Sequence, residues 1–471
     1  MVLVQIVLHL PFFHLSPMGT HTWRQVMGQA TAKNYFEEDN RFFYPRQDVR
    51  KERDDLGISY FEFPLIYYVT AQSYRITGFH HANARVVMFL MGILLIVSAF
   101  KLARATGLTE TSAKWFVFFL SFSPYFFYYS ITIIPDLPAL AWFSLGLAMI
   151  IPEIKKERWR TSFWAGVILL TVGTLSKASL LFFGIPVAYF FFAQFLKTGH
   201  KTTLVAAFSA ALVLLSANGA QYLHARALFE QAPVERQAYT ELAPHPFPTD
   251  VNKVLKTLKP ALTTWFLEFF VNSAAIPLFL TGFFAGLIRT RWKGRGGAFW
   301  SLWALSFVLF SLFFFEQLRE HSYYQTPMLF IAALVSTYGV QILLKRKITR
   351  WIAVLCVSII PFSMAGRVFH RWTTHREVPV ELLEQSHRFE AIIPKSDRVL
   401  VVGDTGPVTT LYYLNRKGVV IPGEASEEKI AELKLLGFNW IVSKGPLKNR
   451  SRGSEAAHSA YQVGKFTISQ M

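Results

Sequence analysis

The sequence predicts an all-α polytopic membrane protein of about eleven transmembrane helices, with a small α/β domain at its C-terminal end. Three observations predict it. Of 471 residues, 52% are hydrophobic and only 17% charged, against about 25% charged in ordinary soluble chains. Apolar runs recur at lengths able to cross a hydrocarbon core, which takes about 20 helical residues. Beyond residue 370 the runs stop, and short strand and helix patterns alternate.

The expected spans lie near 1–16, 84–104, 113–130, 136–152, 161–176, 178–196, 202–219, 268–288, 298–316, 326–344 and 351–367. The first is short and has no basic N-terminal flank. A signal peptide has similar length, and a true start upstream is a further reading; no small-residue cleavage site stands out, so a retained helix is expected. The 161–196 region reads either as two spans or as one long broken hairpin.

Net charge is +18, from 48 Lys plus Arg against 30 Asp plus Glu. On a soluble chain that excess points to nucleic acid. Here its placement explains it. The short segments 101–105, 153–160, 197–201, 289–295 and 345–350 hold sixteen Lys or Arg and only two acids, Glu153 and Glu157. They alternate with the other connections, so they share one side, and the basic side is cytoplasmic. The charge is topological and calls for no nucleic-acid partner. The expected protein is integral to the plasma (inner) membrane and multi-pass. The single cysteine, Cys356, allows no disulfide within the chain.

The opposite, extracytoplasmic face then carries the long connections. These are a first outer loop, 17–83, and a second, 220–267, with short turns near 130–136, at Ser176-Lys177 and at 317–325. The membrane domain is expected over 1–367 and the extracytoplasmic α/β domain over 371–471. In that tail "RVLVVGD" (398–404) reads as a strand and "GPVTTLYYLNRKG" as a turn and helix. "VVIP" follows as a strand, "SEEKIAELKLLG" as a helix ended by Gly437, and "NWIVSKG" as a third strand. The pattern suggests a small parallel α/β domain. "GDTG" lacks the G-x-G-x-x-G spacing of a dinucleotide site.

Four polar clusters fall on the outer side, where desolvated ionisable groups are costly and are usually paired or functional. "GTHTWRQVMGQATAKNYF" (19–36) places His21, Arg24 and Gln25 just after the first span, at the head of an expected surface helix. Its structural reading is an interfacial helix with a Trp anchor. "SYFEFPLIYYVTA" (59–71) sets Glu62 among aromatic rings, suited to accepting a proton or anchoring a hydrogen bond. It also fits an acid near a helix N-terminus. "ITIIPDLPALAW" (131–142) puts Asp136 between prolines, where it can equally be an N-cap. The fourth, "FFFEQLREHSYYQTPMLF" (313–330), groups Arg319, His321, Tyr323 and Tyr324, with Lys177 on another outer turn. Its cations can donate to an anionic group such as phosphate, and its tyrosines offer rings and hydroxyls. Snorkelling bases and interfacial tyrosines give the structural alternative.

These clusters, in this order, resemble the GT-C class of polytopic glycosyltransferases, in the branch of the protein O-mannosyltransferases and the lipid A aminoarabinose transferase. The likeness rests on "HTWRQ" in the first loop and "FEFPLIYY" at a proline-containing helix start. It also rests on the Pro-Asp pair of "IIPDLPAL", on "TLSKASLLF", and on "EHSYYQTPML". It covers roughly residues 1–345. The resemblance implies transfer of a sugar, with inversion, from a polyprenyl-phosphate donor to a glycan, lipid or protein acceptor. Glu62 or His21 would serve as base. Arg24, Lys177, Arg319, His321, Tyr323, Tyr324 and Asp136 would bind the donor phosphate and substrate. Membrane lipid is a further partner. Some members of the class need a divalent metal, which Glu62 and Asp136 could share, although no ligand spacing demands one. The family's first-loop carboxylate falls near 20–27, where this chain reads "THTWRQVM" without an acid. The base role is therefore open among His21, Glu62, Asp39 and Asp48. Two other readings compete: a transporter or flippase of lipid-linked sugars, and a catalytically inactive assembly protein.

Overall fold

The computed structural model describes residues 1–471 except 53, 61, 231–249, 290–293, 375–376, 405, 407 and 446–460, and omits the side chains of 287–289, 316, 319, 320, 373 and 374. Along the chain, α1 (Val2–His9) leads to a loop bearing α2 (Thr22–Glu37) and α3 (Leu65–Thr77). Then come α4 (His81–Ala105), α5 (Glu110–Ser121), α6 (Pro124–Tyr129), α7 (Asp136–Lys156), α8 (Thr161–Ser176), α9 (Ile185–Thr198) and α10 (Lys201–Glu230). They are followed by α11 (Val251–Pro260), α12 (Ile276–Arg289), α13 (Gly294–Phe313), α14 (Phe315–Glu320), α15 (Met328–Leu344) and α16 (Lys347–Thr374). The tail contains α17 (Val380–Glu384), α18 (Ser386–Ile392), β1 (Arg398–Val402), α19 (Thr409–Leu414), β2 (Lys417–Ile421), α20 (Glu427–Leu435), β3 (Phe438–Lys444), β4 (Tyr461–Val463) and β5 (Phe466–Gln470).

The chain folds into two compact units. The first comprises Met1–Phe13, Arg85–Leu223 and Leu242–His370; the second comprises His14–Ala84, His224–Glu241 and Arg371–Met471. Among the described residues, seven helical stretches are long and apolar enough to cross a membrane, and Val2–Phe12, Thr161–Ser176 and Met328–Leu344 are shorter apolar helices. The protein is integral to a membrane.

Two expected spans are broken for local reasons. The run 113–130 divides into α5 and α6 at Phe122–Ser123, where Pro124 opens a new helix and Ser123 Oγ donates to Phe269 O at 2.7 Å. The run 268–288 begins in a π-helix, Ala261–Asn272. It ends at Asn272, which is left-handed at φ 76°. That side chain donates to Phe122 O and Ile360 O, each at 3.1 Å. α1 is packed into the bundle through polar anchors. Gln5 Nε2 donates to Ser121 O at 3.0 Å, and buried His9 meets Ser130 Oγ at 2.9 Å.

Small residues bring α7 and α8 close. A Cβ on Gly146 would lie 2.6 Å from Gly166 O, and one on Gly173 would lie 2.9 Å from Ala139 O. Such contacts are the usual currency of helix packing in lipid. The basic segments gather at one end of this unit. Lys155 Nζ donates to Ala105 O at 2.6 Å, Arg295 to Ala193 O at 3.0 Å, and Thr198 Oγ1 to Glu157 at 2.6 Å. Asp136 begins α7, so it lies about 30 Å from Lys155 at the far end of that 21-residue helix.

The second unit joins the first loop to the tail. Its five-stranded sheet has the order β2-β1-β3-β5-β4. Strands β1, β2 and β3 are parallel, as the strand–helix alternation implies. The sheet as a whole is mixed, not parallel, because β5 runs antiparallel to β3 and forms a hairpin with β4. Alternate residues of β1 serve the two faces. Val399 and Val401 pack with Leu411, Tyr412, Trp440 and, from α2, Val26, Met27 and Ala30. Leu400 and Val402 pack with Leu433, Phe438 and Ile441. The first loop also borders β2: Arg50 N donates to Gly418 O at 2.7 Å, and Gly418 N to Asp48 O at 3.1 Å. Helix α2 is therefore part of the core of the α/β fold. Residues 231–249 of the expected second outer loop lie outside the described residues.

Candidate active site

Each unit gathers its own set of the sequence-selected residues. In the first unit Lys177 lies in extended backbone, φ −151°, between α8 and the 3-10 turn Ala178–Gly184. That break in the helix presents its side chain at the helix end. Lys177 Nζ stands 2.8 Å from Asp136 Oδ1, and both side chains are largely buried. Asp136 occupies the first position of α7 but makes no cap to its own backbone; its carboxylate serves the lysine instead. The ammonium also lies over two rings, 4.0 Å from the centroid of Tyr324 and 5.2 Å from that of Tyr323. His321 stacks on Tyr323, with centroids 5.3 Å apart and planes at 26°. Asp136, Lys177, His321, Tyr323 and Tyr324 thus form one cluster. The Arg319 side chain lies outside the described residues.

A second layer holds the tyrosine turn in place. Tyr129 Oη meets Ser322 Oγ at 2.8 Å, and Tyr125 Oη bonds Thr326 Oγ1. Trp303 Nε1 donates to Pro327 O at 3.0 Å. Sequence reasoning missed Tyr125 and Tyr129. Their spacing in "PYFFYYS", four apart on one helical face and directly before Asp136, was the available signal.

In the second unit His21 precedes α2 in a left-handed conformation, φ 59°, and is buried. A non-glycine residue held there is strained, and such strain concentrates at functional positions. Arg24, one turn into α2, gives its guanidinium to both carboxylate oxygens of Glu62. Tyr67 Oη donates to the same carboxylate. The aromatic surroundings of Glu62 are thus offset by a cation and a phenol, and Tyr67 is a further residue the sequence did not single out. The other two carboxylates considered as bases are committed elsewhere. Asp39 pairs with Arg41 at 2.7 Å and with Arg46 at 2.5 Å. Hydrogen bonds from Arg41 hold its carboxyl below the ordinary range against a partial burial effect. Asp48 is buried, and burial works to raise its carboxyl, but Lys417 and Lys33 outweigh it and hold the group low. Neither arrangement suits a group that must take up a proton.

Glu62 lies in the second unit and Asp136 in the first, and each has a cationic partner within its own unit. Among the described residues, no group of three or more His, Cys, Asp or Glu has the geometry to hold an ion.

Residues 62–219 match the model of the dolichyl-phosphate-mannose-protein mannosyltransferase family. Together with the fold, this match, over about a third of the chain, supports a polytopic membrane glycosyltransferase of the GT-C type. The architecture is similar to that of ArnT from Cupriavidus metallidurans bound to undecaprenyl phosphate, with TM-score 0.67, 13% identity, and coverage of 100% of this chain and 97% of that one. The apo form of ArnT gives TM-score 0.66 at 12% identity, with the same coverage. The oligosaccharyltransferase AglB from Archaeoglobus fulgidus, in complex with an inhibitory peptide and a dolichol-phosphate, gives TM-score 0.53 at 10% identity. That match covers 94% of this chain and 69% of AglB. No curated protein matches the chain significantly in sequence.

Proposed function

We propose that the chain transfers a sugar from a polyprenyl-phosphate donor to an acceptor hydroxyl, with inversion, at the extracytoplasmic face of the plasma membrane. The observation that carries this reading is the posture of Lys177. A cation is clamped between Asp136 and two tyrosine rings at the helix ends of a membrane bundle, a posture that suits it to receive a lipid-borne phosphate on this reading. The solved relatives bound to undecaprenyl phosphate and to dolichol-phosphate support a donor of that chemistry. The face is supported by the basic segments gathered at the other end of α7, which the positive-inside bias assigns to the cytoplasm.

In the reaction the acceptor oxygen attacks the anomeric carbon as its proton passes to a base. The bond from that carbon to the phosphate oxygen breaks, and the lipid phosphate leaves with the electron pair. A single displacement inverts the anomeric centre. Lys177, Arg319 and His321 stabilise the charge on the leaving phosphate, commonly a large catalytic contribution. Tyr323 and Tyr324 hold Lys177 and offer hydroxyls to sugar or phosphate oxygens. Glu62 serves as base, with Arg24 and Tyr67 fixing its carboxylate; His21 is the second candidate.

The test uses the purified full chain in lipid nanodiscs with a radiolabelled polyprenyl-phosphate sugar and membrane-extracted acceptors. Lys177→Met should lower kcat by about 10²–10³-fold, the cost of removing one charge-stabilising donor. Glu62→Gln should abolish transfer that His21→Ala leaves measurable. Wild-type rates in Lys177→Met, or a product that retains the donor's anomeric configuration, would overturn the proposal.

A further inference from the structure

We infer that the ion pair of Arg367 and Glu268 in the first unit binds a phospholipid headgroup that carries both a phosphate and a primary ammonium. Glu268 lies in the π-helix Ala261–Asn272 and Arg367 in α16, and their side chains pair with each other. The Arg367 guanidinium also lies over the Phe269 ring, 5.6 Å from its centroid. Two observations place the pair at headgroup depth. Lys347 opens α16, and Arg367 stands about 30 Å further along that helix; the hydrocarbon core is about 30 Å thick. Asn272 of the π-helix reaches Ile360 O of α16 at 3.1 Å. From that contact Glu268 and Arg367 lie in the same direction, away from the basic segments.

Ionisable groups among membrane helices are costly and mark sites of function. Elsewhere in this unit neutral side chains make such links between helices: Gln5 to Ser121 O, Ser123 to Phe269 O and Asn272 to Ile360 O. Here a full cation and a full anion are used, and both remain accessible, with side chains 37% and 34% exposed. A π-helix is itself rare and recurs at functional sites. A cation beside a carboxylate matches a zwitterion. The guanidinium donates to phosphate oxygens, while the ammonium donates to the carboxylate. The protein pair need not open, because a guanidinium has five N–H donors and a carboxylate several lone pairs. The two-carbon link of an ethanolamine headgroup is short enough for its ends to meet adjacent partners. A glycerol headgroup brings no cation for Glu268, and a choline ammonium has no N–H to donate. Leu355, Ile359 and Phe362, on α16 toward the basic end, are exposed and give the acyl chains a surface. The site uses none of the residues assigned to sugar transfer.

The experiment is native mass spectrometry of the full chain, delipidated and then reconstituted with equal phosphatidylethanolamine, phosphatidylcholine and phosphatidylglycerol. One phosphatidylethanolamine per chain should be retained, ahead of each competitor by about fivefold, the worth of one charge at headgroup level. Glu268→Gln should erase the preference over phosphatidylglycerol, because the phosphate keeps Arg367 while the ammonium loses its partner. Arg367→Gln should weaken retention of phosphatidylethanolamine by about fivefold. Lys197→Gln with Lys201→Gln, on a basic segment, should leave it unchanged. Equal retention of the three lipids, a preference for phosphatidylglycerol in the wild type, or undiminished selectivity in both variants overturns the assignment. Displacement of phosphatidylethanolamine by an equal concentration of polyprenyl phosphate would overturn it too, and would give the pair to the isoprenoid lipid. Should the variants not fold, a phosphatidylethanolamine with a photoreactive acyl chain decides on the wild type. Labelling should concentrate in residues 355–362, and labelling spread evenly over the helices refutes the site.

Discussion

Replacing Lys417 by methionine removes one cation from the cluster that ties the first loop to the tail. Lys417 Nζ stands 2.5 Å from Asp48 Oδ1, 2.9 Å from Glu38 Oε1 and 2.5 Å from Asn34 Oδ1. Asp48 is only 1% exposed. Deleting one member of a buried pair costs about 3–5 kcal/mol, because the survivor keeps its desolvation penalty. Two features lower that figure. Lys417 is a quarter exposed. Asp48 also keeps Lys33 nearby and accepts from Asn34 Nδ2 at 3.1 Å. The expected loss is about 2 kcal/mol, or about 4–8 °C in Tm for a domain of roughly 150–250 residues. The pH dependence has a definite sign. The Asp48 carboxyl is held low in the folded chain, so its contribution is fully present above the unfolded value, about 3.9. It is lost as pH falls through the folded value. The gap between wild type and Lys417→Met should therefore hold at pH 7 and narrow below about pH 4. Scanning fluorimetry in nanodiscs measures it, with proteolysis of the first loop to locate the unfolding. Asp48→Asn combined with Lys417→Met should cost less than the two changes added. A Tm within about 1 °C of wild type at pH 7, or a gap indifferent to acid, would refute the reasoning.

Removing residues 378–471 should abolish transfer, because Val26, Met27 and Ala30 of α2 lose the strands and helix they pack against; the nanodisc transfer assay and protease sensitivity of 17–83 read this. Asn272→Ala should lower stability by about 1–2 kcal/mol, since the carbonyls of Phe122 and Ile360 lose their donor; thermal unfolding checks it. Gly173→Val should cost about 1–3 kcal/mol or more, its Cβ meeting Phe143 Cβ at 2.8 Å, with expression in the membrane fraction as a first readout. The Glu157 carboxyl, held down to about 2 chiefly by the Thr198 hydroxyl with His200 and Thr203 assisting, should keep the 157–203 contact intact through pH 4 and release it only as pH approaches 2. Hydrogen exchange at those amides follows the release.

The membrane architecture was legible because lipid imposes a length and a hydropathy on each span, and five basic segments agreed on which ends lie together. Span interiors were less legible. The division of 113–130 depends on Ser123 reaching Phe269, and the end of the π-helix depends on Asn272 reaching two remote carbonyls. Such contacts link residues 88 to 150 positions apart, and no local pattern encodes them. In the tail, the three parallel strands followed from the alternation of short apolar strand patterns with helix patterns. The final hairpin was missed, although Gly464 between "YQV" and "FTISQ" marks its turn. The role of α2 was hidden for a related reason. Its mixed polar and apolar sequence reads as a surface helix when its partner, a sheet nearly 400 residues away, is unknown.

The same distinction applies to the candidate site. The individual residue types of the Lys177 cluster were visible as chemistry out of place at a membrane rim. Their grouping came from the fold, through α7 starting at Asp136 and α8 breaking at Lys177. Placing a lysine in such surroundings alone would carry a desolvation penalty that its attraction to a distant ligand could not offset. Asp136 and the Tyr324 ring offset that penalty in the folded chain and hold the ammonium in one place. On the proposed reading, this is why Asp136 belongs to the site without touching the sugar. A phosphate arriving at Lys177 meets a cation already desolvated and oriented, so little reorganisation remains for the moment of bond cleavage.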